Sequence, residues 1–145
     1  MLAKTFAIAT LLAAAIVPAA AADFEVRLRH DTVTGAMVFQ PTVTNVAVGD
    51  TVTFVPTQKG HSVEAIKDLL PAGAATFKGA VGEQLSVTFT APGTYGVKCA
   101  PYAGAGMVGL VIVGTEPVDT GSIAAARLPQ RAVQRLHAAL EHGVH

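Results

Sequence analysis

Short stretches in which hydrophobic and polar residues alternate recur along most of the chain and predict β-strands. In FEVRLRH, residues 24–30, Phe24, Val26 and Leu28 alternate with charged neighbours, the period of two expected for a strand with one buried face. QLSVTFT, residues 84–90, has the same period. The runs AMVFQP, VAVGDTVTFVP and YGVKC are rich in β-branched or aromatic residues and are bounded by Gly- and Pro-containing turns. Short strands at such spacing predict an all-β sandwich.

Two segments depart from this alternation. MVGLVIVG, residues 107–114, is apolar on both faces, which predicts a central strand of a sandwich. SVEAIKDLLPAG, residues 62–73, predicts a short helix that is closed by Pro71 and Gly73.

The last part of the chain is rich in Ala, Leu, Arg and Gln and predicts helices. Val133, Leu136 and Leu140 recur at helical spacing, with Pro129 near the start of this pattern and Gly143 just past its end. We therefore expect two C-terminal helices to pack on the sandwich.

The N-terminal segment has the pattern of a cleaved export signal. Lys4 precedes an apolar run from Phe6 to Val17, and small residues that end in Ala-x-Ala lead up to Asp23. The run is shorter than the ~20 consecutive apolar residues that a membrane-spanning helix needs, and no later segment approaches that length. We interpret residues 1–22 as a signal peptide and residues 23–145 as one exported, soluble domain.

Composition and charge exclude some classes of function. The chain of 145 residues has ten Lys or Arg and ten Asp or Glu residues, so its formal net charge is zero. This balance gives no basic surface for nucleic acid. No Ser-His-Asp ordering or paired carboxylates indicate a hydrolytic site, and we expect the protein not to be an enzyme.

The most informative stretch is KCAPYAGAGM, residues 98–107, which holds the only cysteine of the chain. With no second cysteine, Cys99 is a buried spare thiol, an intermolecular bridge or a metal ligand. A thiolate followed after a tight loop by the thioether of Met107 is a pair of soft donors that suits copper. His61, in KGHSVEAI directly after the predicted strand TVTFVP, is the candidate imidazole.

The chain resembles the pseudoazurins, a family of small periplasmic blue-copper electron carriers with the cupredoxin fold. The resemblance rests on GAMVFQP, VGDTVTF, KGHSVEAIKDLLPAGAATFK, PGTYGVKCAP, GMVGLVIVG and the helical tail. It implies a cupredoxin-like Greek-key β-sandwich with two C-terminal helices, so that residues 23–145 form a single plastocyanin-like (cupredoxin) domain. It also implies one copper ion per chain and a periplasmic location.

The resemblance assigns roles to individual residues. His61 matches the first histidine ligand of the family, Cys99 the thiolate ligand and Met107 the axial thioether. Met37, in GAMVF, matches a methionine that packs beside the second histidine in the family.

The second histidine itself is missing. The family pattern is Cys-x-Pro-His-Tyr, whereas here Tyr102 follows Pro101 directly. Either the histidine became Tyr102, or it was lost and a residue was gained within 103–105. A phenol has a pKa near 10 and a longer side chain, so we expect phenolate ligation to be disfavoured and water to be the alternative. The expected metal ligands are His61, Cys99 and Met107, with an open fourth position.

The resemblance implies a one-electron carrier between redox proteins, with nitrite reductase or a c-type cytochrome system as partner. We expect a monomer that does not span a membrane and does not bind nucleic acid. The alternative is a non-redox cupredoxin scaffold, either metal-free or holding Cu(I) through His61, Cys99 and Met107 as a copper carrier.

Overall fold

The computed structural model describes residues 20–142, together with residues 3, 10 and 12–15. Most of the predicted signal peptide, residues 1–22, lies outside the described residues. Within the described parts of the chain, no helix is long and apolar enough to cross a membrane.

The fold of residues 20–142 is a sandwich of two four-stranded sheets. The strands are β1 (Asp23–His30), β2 (Met37–Gln40), β3 (Val43–Val46), β4 (Thr51–Pro56), β5 (Glu64–Ala65), β6 (Leu85–Thr88), β7 (Gly93–Lys98) and β8 (Val108–Val113). Their order is β2-β1-β4-β6 in the first sheet and β3-β8-β7-β5 in the second. The pairs β1–β4 and β3–β8 are parallel, and the other pairs are antiparallel.

The alternation seen in the sequence determines which faces are buried. In β1, Val26 and Leu28 are buried, while Glu25 and Arg27 between and beside them are exposed. Val26 lies opposite Phe54 of β4, so apolar side chains of neighbouring strands meet on the inner face. All six residues of β8 are buried between β3 and β7, which confirms the predicted central strand.

The predicted helix over residues 62–73 is wrong. Glu64 and Ala65 form β5, which pairs with β7, and turns follow. The pairing continues beyond β5, because Ile66 N–H donates to Gly96 O at 2.9 Å and Gly96 N–H donates to Leu69 O at 2.7 Å. These bonds to β7 satisfy backbone groups that a helix would have satisfied internally, so the segment forms a short strand followed by turns.

The two predicted C-terminal helices are present as α1 (Thr120–Ala125) and α2 (Gln130–Glu141). Leu136 is fully buried and Leu140 is half-buried, as the helical spacing predicted. Together with Ile123 of α1 they form a second core with residues of β8 and of the 62–73 segment. The helices therefore cover the outer face of the second sheet, while the main core fills the space between the sheets.

Candidate metal centre

The two sulfur residues lie at one end of the antiparallel pair β7–β8. Lys98, the last residue of β7, is opposite Val108, the first residue of β8. Cys99 and Met107 come directly after and before these positions, and Cys99 N–H donates to Met107 O at 3.1 Å. Both side chains are fully buried in the main core. The hairpin thus fixes both sulfur residues at the same edge of the sandwich.

A 3₁₀ helix, Ala100–Ala105, connects the two strands. Tyr102 N–H donates to Cys99 O at 3.0 Å, and Met107 N–H donates to Tyr102 O at 3.1 Å. The helix ends at Gly106, whose φ of 91° is in the left-handed region that favours glycine. Its backbone is therefore bonded at both ends and keeps Cys99 and Met107 in register.

His61 reaches the same place from the loop after β4. It follows Gly60, which turns the chain with a φ of 89°, and only 2% of its surface is exposed. Its Nδ1 lies 4.0 Å from Cys99 Sγ, and the backbone N–H of the next residue, Ser62, donates to the same sulfur at 3.4 Å. The structure therefore brings together the histidine and the cysteine that the sequence singled out.

The spacing of these donors fits a bound metal ion. Ligand bonds of ~2.0–2.1 Å to histidine nitrogen and ~2.3 Å to thiolate sulfur, as on zinc, allow one ion to bind two atoms 4.0 Å apart. The N–H of Ser62 donates to the same sulfur, and the thiolate is the form of cysteine that binds metal. The donor set of thiolate, imidazole and thioether is the kind that suits copper.

The electrostatics of the pocket favour neutral imidazole. Burial lowers the pKa of His61 below its usual value of 6.5, and the charge of His30 lowers it further. The uncharged ring is the form that coordinates metals. At neutral pH His61 is therefore ready to bind without first losing a proton.

Tyr102 covers His61 from the loop. The centroids of the two rings are 5.3 Å apart at an interplanar angle of 57°. A side chain built on Gly60 would begin 3.4 Å from the Tyr102 hydroxyl, so the phenol reaches across the imidazole to the backbone before His61. Met37 and Tyr102, both half-buried, pack at the edge of the main core.

No second imidazole joins the centre in the described part of the chain. Residues 20–142 contain no group of three or more His, Cys, Asp or Glu side chains that could hold a metal ion. His30, His137 and His142 therefore do not complete a site with His61 and Cys99. The gap that the sequence indicates at position 102 is not filled by another described histidine.

Sequence reasoning missed Arg135 of α2. Its Nη1 donates to Met37 O at 2.6 Å and to Gly106 O at 2.8 Å, so α2 is tied to β2 and to the end of the 3₁₀ helix. Burial lowers the pKa of this guanidinium. Because its two acceptors are backbone carbonyls remote in sequence, no local signal in the sequence points to this role.

A two-sheet sandwich with a buried histidine, cysteine and methionine at one end defines a cupredoxin-type copper protein. Residues 25–114 match the model of the copper binding proteins of the plastocyanin/azurin family. The chain is 45% identical to a pseudoazurin of Paracoccus pantotrophus over 134 residues, 92% of each chain. It is also 45% identical to a putative pseudoazurin of Rhizobium leguminosarum bv. viciae, over 83% of this chain and 79% of the relative. The chain belongs to the plastocyanin/azurin family and, within it, to the pseudoazurins.

Solved structures agree with this membership. The pseudoazurin of Methylobacterium extorquens AM1 superimposes with a TM-score of 0.76 at 35% identity, covering 83% of this chain and 98% of that chain. The pseudoazurin of Hyphomicrobium denitrificans gives a TM-score of 0.76 at 37% identity, covering 85% and 99%. The predicted cupredoxin-like Greek-key sandwich with two C-terminal helices is confirmed, and so is copper as the cofactor of the family.

Proposed function

We propose that this protein is a one-electron carrier that holds one copper ion through His61, Cys99 and Met107, with no imidazole from the 99–107 loop. The observation that carries the proposal is the buried pair of His61 Nδ1 and Cys99 Sγ, 4.0 Å apart. Copper, when bound, supplies the change between the Cu(I) and Cu(II) states. The protein holds the donors in one arrangement for both.

The rigidity of the donors supports electron transfer over catalysis. Cys99 and Met107 are fully buried and belong to the main core, and the loop between them is hydrogen-bonded at both ends. Donors that cannot move keep the cost of changing oxidation state small. Tyr102 lies over His61 and leaves the imidazole almost entirely buried, which is unfavourable for an open substrate site.

Location and partners are part of the same proposal and follow from the family. The protein is exported to the periplasm after loss of an N-terminal signal peptide and functions there as a single-domain monomer. Its redox partner is nitrite reductase or a c-type cytochrome system. In the family, the loop histidine is the exposed ligand through which electrons usually leave, so the tyrosine at position 102 affects transfer more than copper binding.

A second function, Cu(I) carriage, is favoured by the donor set itself. One imidazole, one thiolate and one thioether, without a second imidazole in residues 20–142, match the preference of Cu(I) for soft ligands. A carrier of this kind would release Cu(I) to a chelator readily and would show no reversible voltammetric wave. A metal-free scaffold would bind neither oxidation state tightly.

The decisive experiment restores the missing ligand. We expect the unaltered protein, after addition of Cu(II), to lack the intense blue absorption of a trigonal two-histidine, one-cysteine site, and Tyr102→His to restore it. Visible absorption and electron paramagnetic resonance on both proteins provide the measurement. The matched control is Tyr102→Phe, which removes only the hydroxyl and leaves the spectrum unchanged if the phenol is not a ligand.

Each result has a definite meaning. An ordinary blue spectrum from the unaltered chain would overturn the proposal that the fourth position lacks an imidazole. A spectrum that changes in Tyr102→Phe would assign the phenolate as a ligand. Reversible one-electron voltammetry supports the electron carrier, whereas its absence together with fast Cu(I) release supports the copper carrier.

A further inference from the structure

A buried carboxylate far from the metal centre lacks a charged partner. Asp50 lies in the turn before β4 and is only 6% exposed. Its Oδ1 accepts a hydrogen bond from Ala22 N–H at 2.8 Å, and its Oδ2 accepts one from Ala47 N–H at 2.8 Å. Both donors are backbone amides of the uncleaved chain.

No side chain neutralises this carboxylate. The ion pair found within residues 20–142 joins Arg27 to Glu25 on the surface, and no Lys, Arg or His nitrogen of the described chain lies within 4.0 Å of Asp50. Buried charges in proteins are usually paired with an opposite charge. A cation beside Oδ1, where the uncleaved chain offers only the neutral N–H of Ala22, would complete such a pair.

The nitrogen of Ala22 is the atom that can become this cation. It already lies at hydrogen-bond distance from Asp50, and Ala22 O accepts from Thr51 N–H at 3.0 Å. The next residue, Asp23, begins the pairing of β1 with β4 opposite Thr51. Ala22 is thus held to the folded domain through both of its backbone polar groups, whereas removing it would leave Asp50 Oδ1 and Thr51 N–H without these partners.

The sequence permits cleavage on either side of Ala22. A cut after Ala21 places small residues at positions 19 and 21, and a cut after Ala22 places them at 20 and 22. We propose that the export endopeptidase hydrolyses the Ala21–Ala22 bond, one residue earlier than the pattern alone suggested, and that the new α-ammonium of Ala22 forms a buried ion pair with Asp50. The oxygen of water bonds to the carbonyl carbon of Ala21 as the C–N bond breaks, so that Ala21 leaves as a carboxylate. Both hydrogens of the water pass to the nitrogen of Ala22, which becomes an ammonium.

Two leader variants test the proposal on the exported full-length product. Ala20→Leu blocks the cut after Ala22, and Ala19→Leu blocks the cut after Ala21; neither altered residue remains in the mature protein. We expect the mass of the unaltered exported protein and of Ala20→Leu to match residues 22–145, and that of Ala19→Leu to match residues 23–145. The form that begins at Ala22 melts about 5 °C or more above the form that begins at Asp23.

Asp50→Asn, introduced into both mature forms, tests whether their difference depends on the carboxylate. It removes the charge and leaves one acceptor oxygen for two N–H donors, and we expect it to abolish most of the difference in melting temperature. The control, Asp23→Asn, changes an exposed carboxylate and leaves the difference in place. If Asp50→Asn does not fold, the comparison of the two mature forms still tests the cleavage site and the stabilisation by Ala22, because it alters no residue of the domain.

Three results would overturn the proposal. They are an unaltered exported protein that begins at Asp23, one that retains its leader, and two mature forms with equal melting temperatures. All measurements use metal-free protein, so they do not depend on the proposed copper function.

Discussion

Two consecutive residues of one loop, His61 and Ser62, contact the thiol of Cys99. His61 faces the sulfur with Nδ1, and Ser62 donates its backbone N–H to it. A single loop conformation therefore supplies both the proposed ligand His61 and a hydrogen bond to the sulfur. A substitution that shifts this loop affects both at once.

The first prediction concerns the thiolate. We expect Cys99→Ala to lose copper affinity by more than the roughly 10–100-fold that removal of an outer hydrogen-bond partner causes, because it removes the strongest donor. Calorimetric titration measures the affinity. Ser62→Ala is the control, since it keeps the backbone N–H and leaves binding intact. Unchanged affinity in Cys99→Ala would place the copper elsewhere.

The second prediction concerns the pH dependence of the metal-free protein. Burial, with a smaller effect of His30, lowers the pKa of His61 in the folded state below 6.5, so the unfolded chain binds more protons at this residue. The free energy of unfolding therefore falls as the pH decreases from 6.5 towards the folded pKa of His61. In His61→Gln the side chain cannot take up this proton, so the free energy of unfolding falls less over the same pH range. Denaturant unfolding of both proteins above and below pH 6.5 measures it, and parallel pH profiles would contradict the assignment.

Among secondary-structure elements, the difference between what the sequence predicted and what it missed has a physical cause. β1 was predictable because one buried face imposes a period of two, and α2 because Leu136 and Leu140 follow the helical period. The prediction of a helix over residues 62–73 was wrong because the buried residues Val63, Ile66 and Leu69 are three apart, and one face of a helix has the same spacing. The short strand and turns of this segment depend on hydrogen bonds to β7, which no local pattern encodes.

The same limit applies to the candidate site. The chemistry and spacing of His61, Cys99 and Met107, together with the resemblance to the pseudoazurins, made them the predicted ligands. The donor at Ser62 is a backbone N–H, and every residue except proline has one. Contributions of this kind follow only from the three-dimensional arrangement.

The third prediction concerns the contact between the 62–73 segment and β7. A Cβ on Gly96 would lie 2.6 Å from Leu69 Cδ2 and 3.0 Å from Ile66 Cδ1, both side chains being buried. We expect Gly96→Ala to lower the free energy of unfolding by about 1–3 kcal/mol through overpacking. Gly104→Ala is the control, because no atom lies within 4 Å of its Cβ position. Equal stabilities in denaturant unfolding would contradict this packing.

At the scale of the whole molecule, the C-terminal helix is bonded to the edge of the sandwich that carries Cys99 and Met107. Arg135 bonds to carbonyls 98 and 29 residues away in sequence, and these carbonyls flank the edge where Cys99 and Met107 lie. The tail thus contributes to the loop geometry as well as covering the second sheet.

The fourth prediction tests this link. Arg135→Met removes both hydrogen bonds. Gly106 O keeps its bond from Val108 N–H at 2.9 Å, whereas Met37 O loses its side-chain donor, at a cost of about 1–3 kcal/mol. We expect lower stability and faster amide hydrogen exchange at Met107 and its neighbours in the metal-free protein. The control, Arg131→Met, changes an exposed side chain one turn earlier on α2. If amide hydrogen exchange becomes faster only in α2, and not in the loop between Cys99 and Met107, this would contradict the link.

The parallel pairing of β3 with β8 has a consequence for folding. It joins residues 43–46 to residues 110–113, so the second sheet cannot close until most of the chain has been made. Such long-range pairing slows folding, and during that time Cys99 has not yet reached its buried place. In the oxidising compartment to which the proposed export leads, a second cysteine could trap the unfinished chain as an internal disulfide. The chain contains only one cysteine, so that misfolding route does not exist.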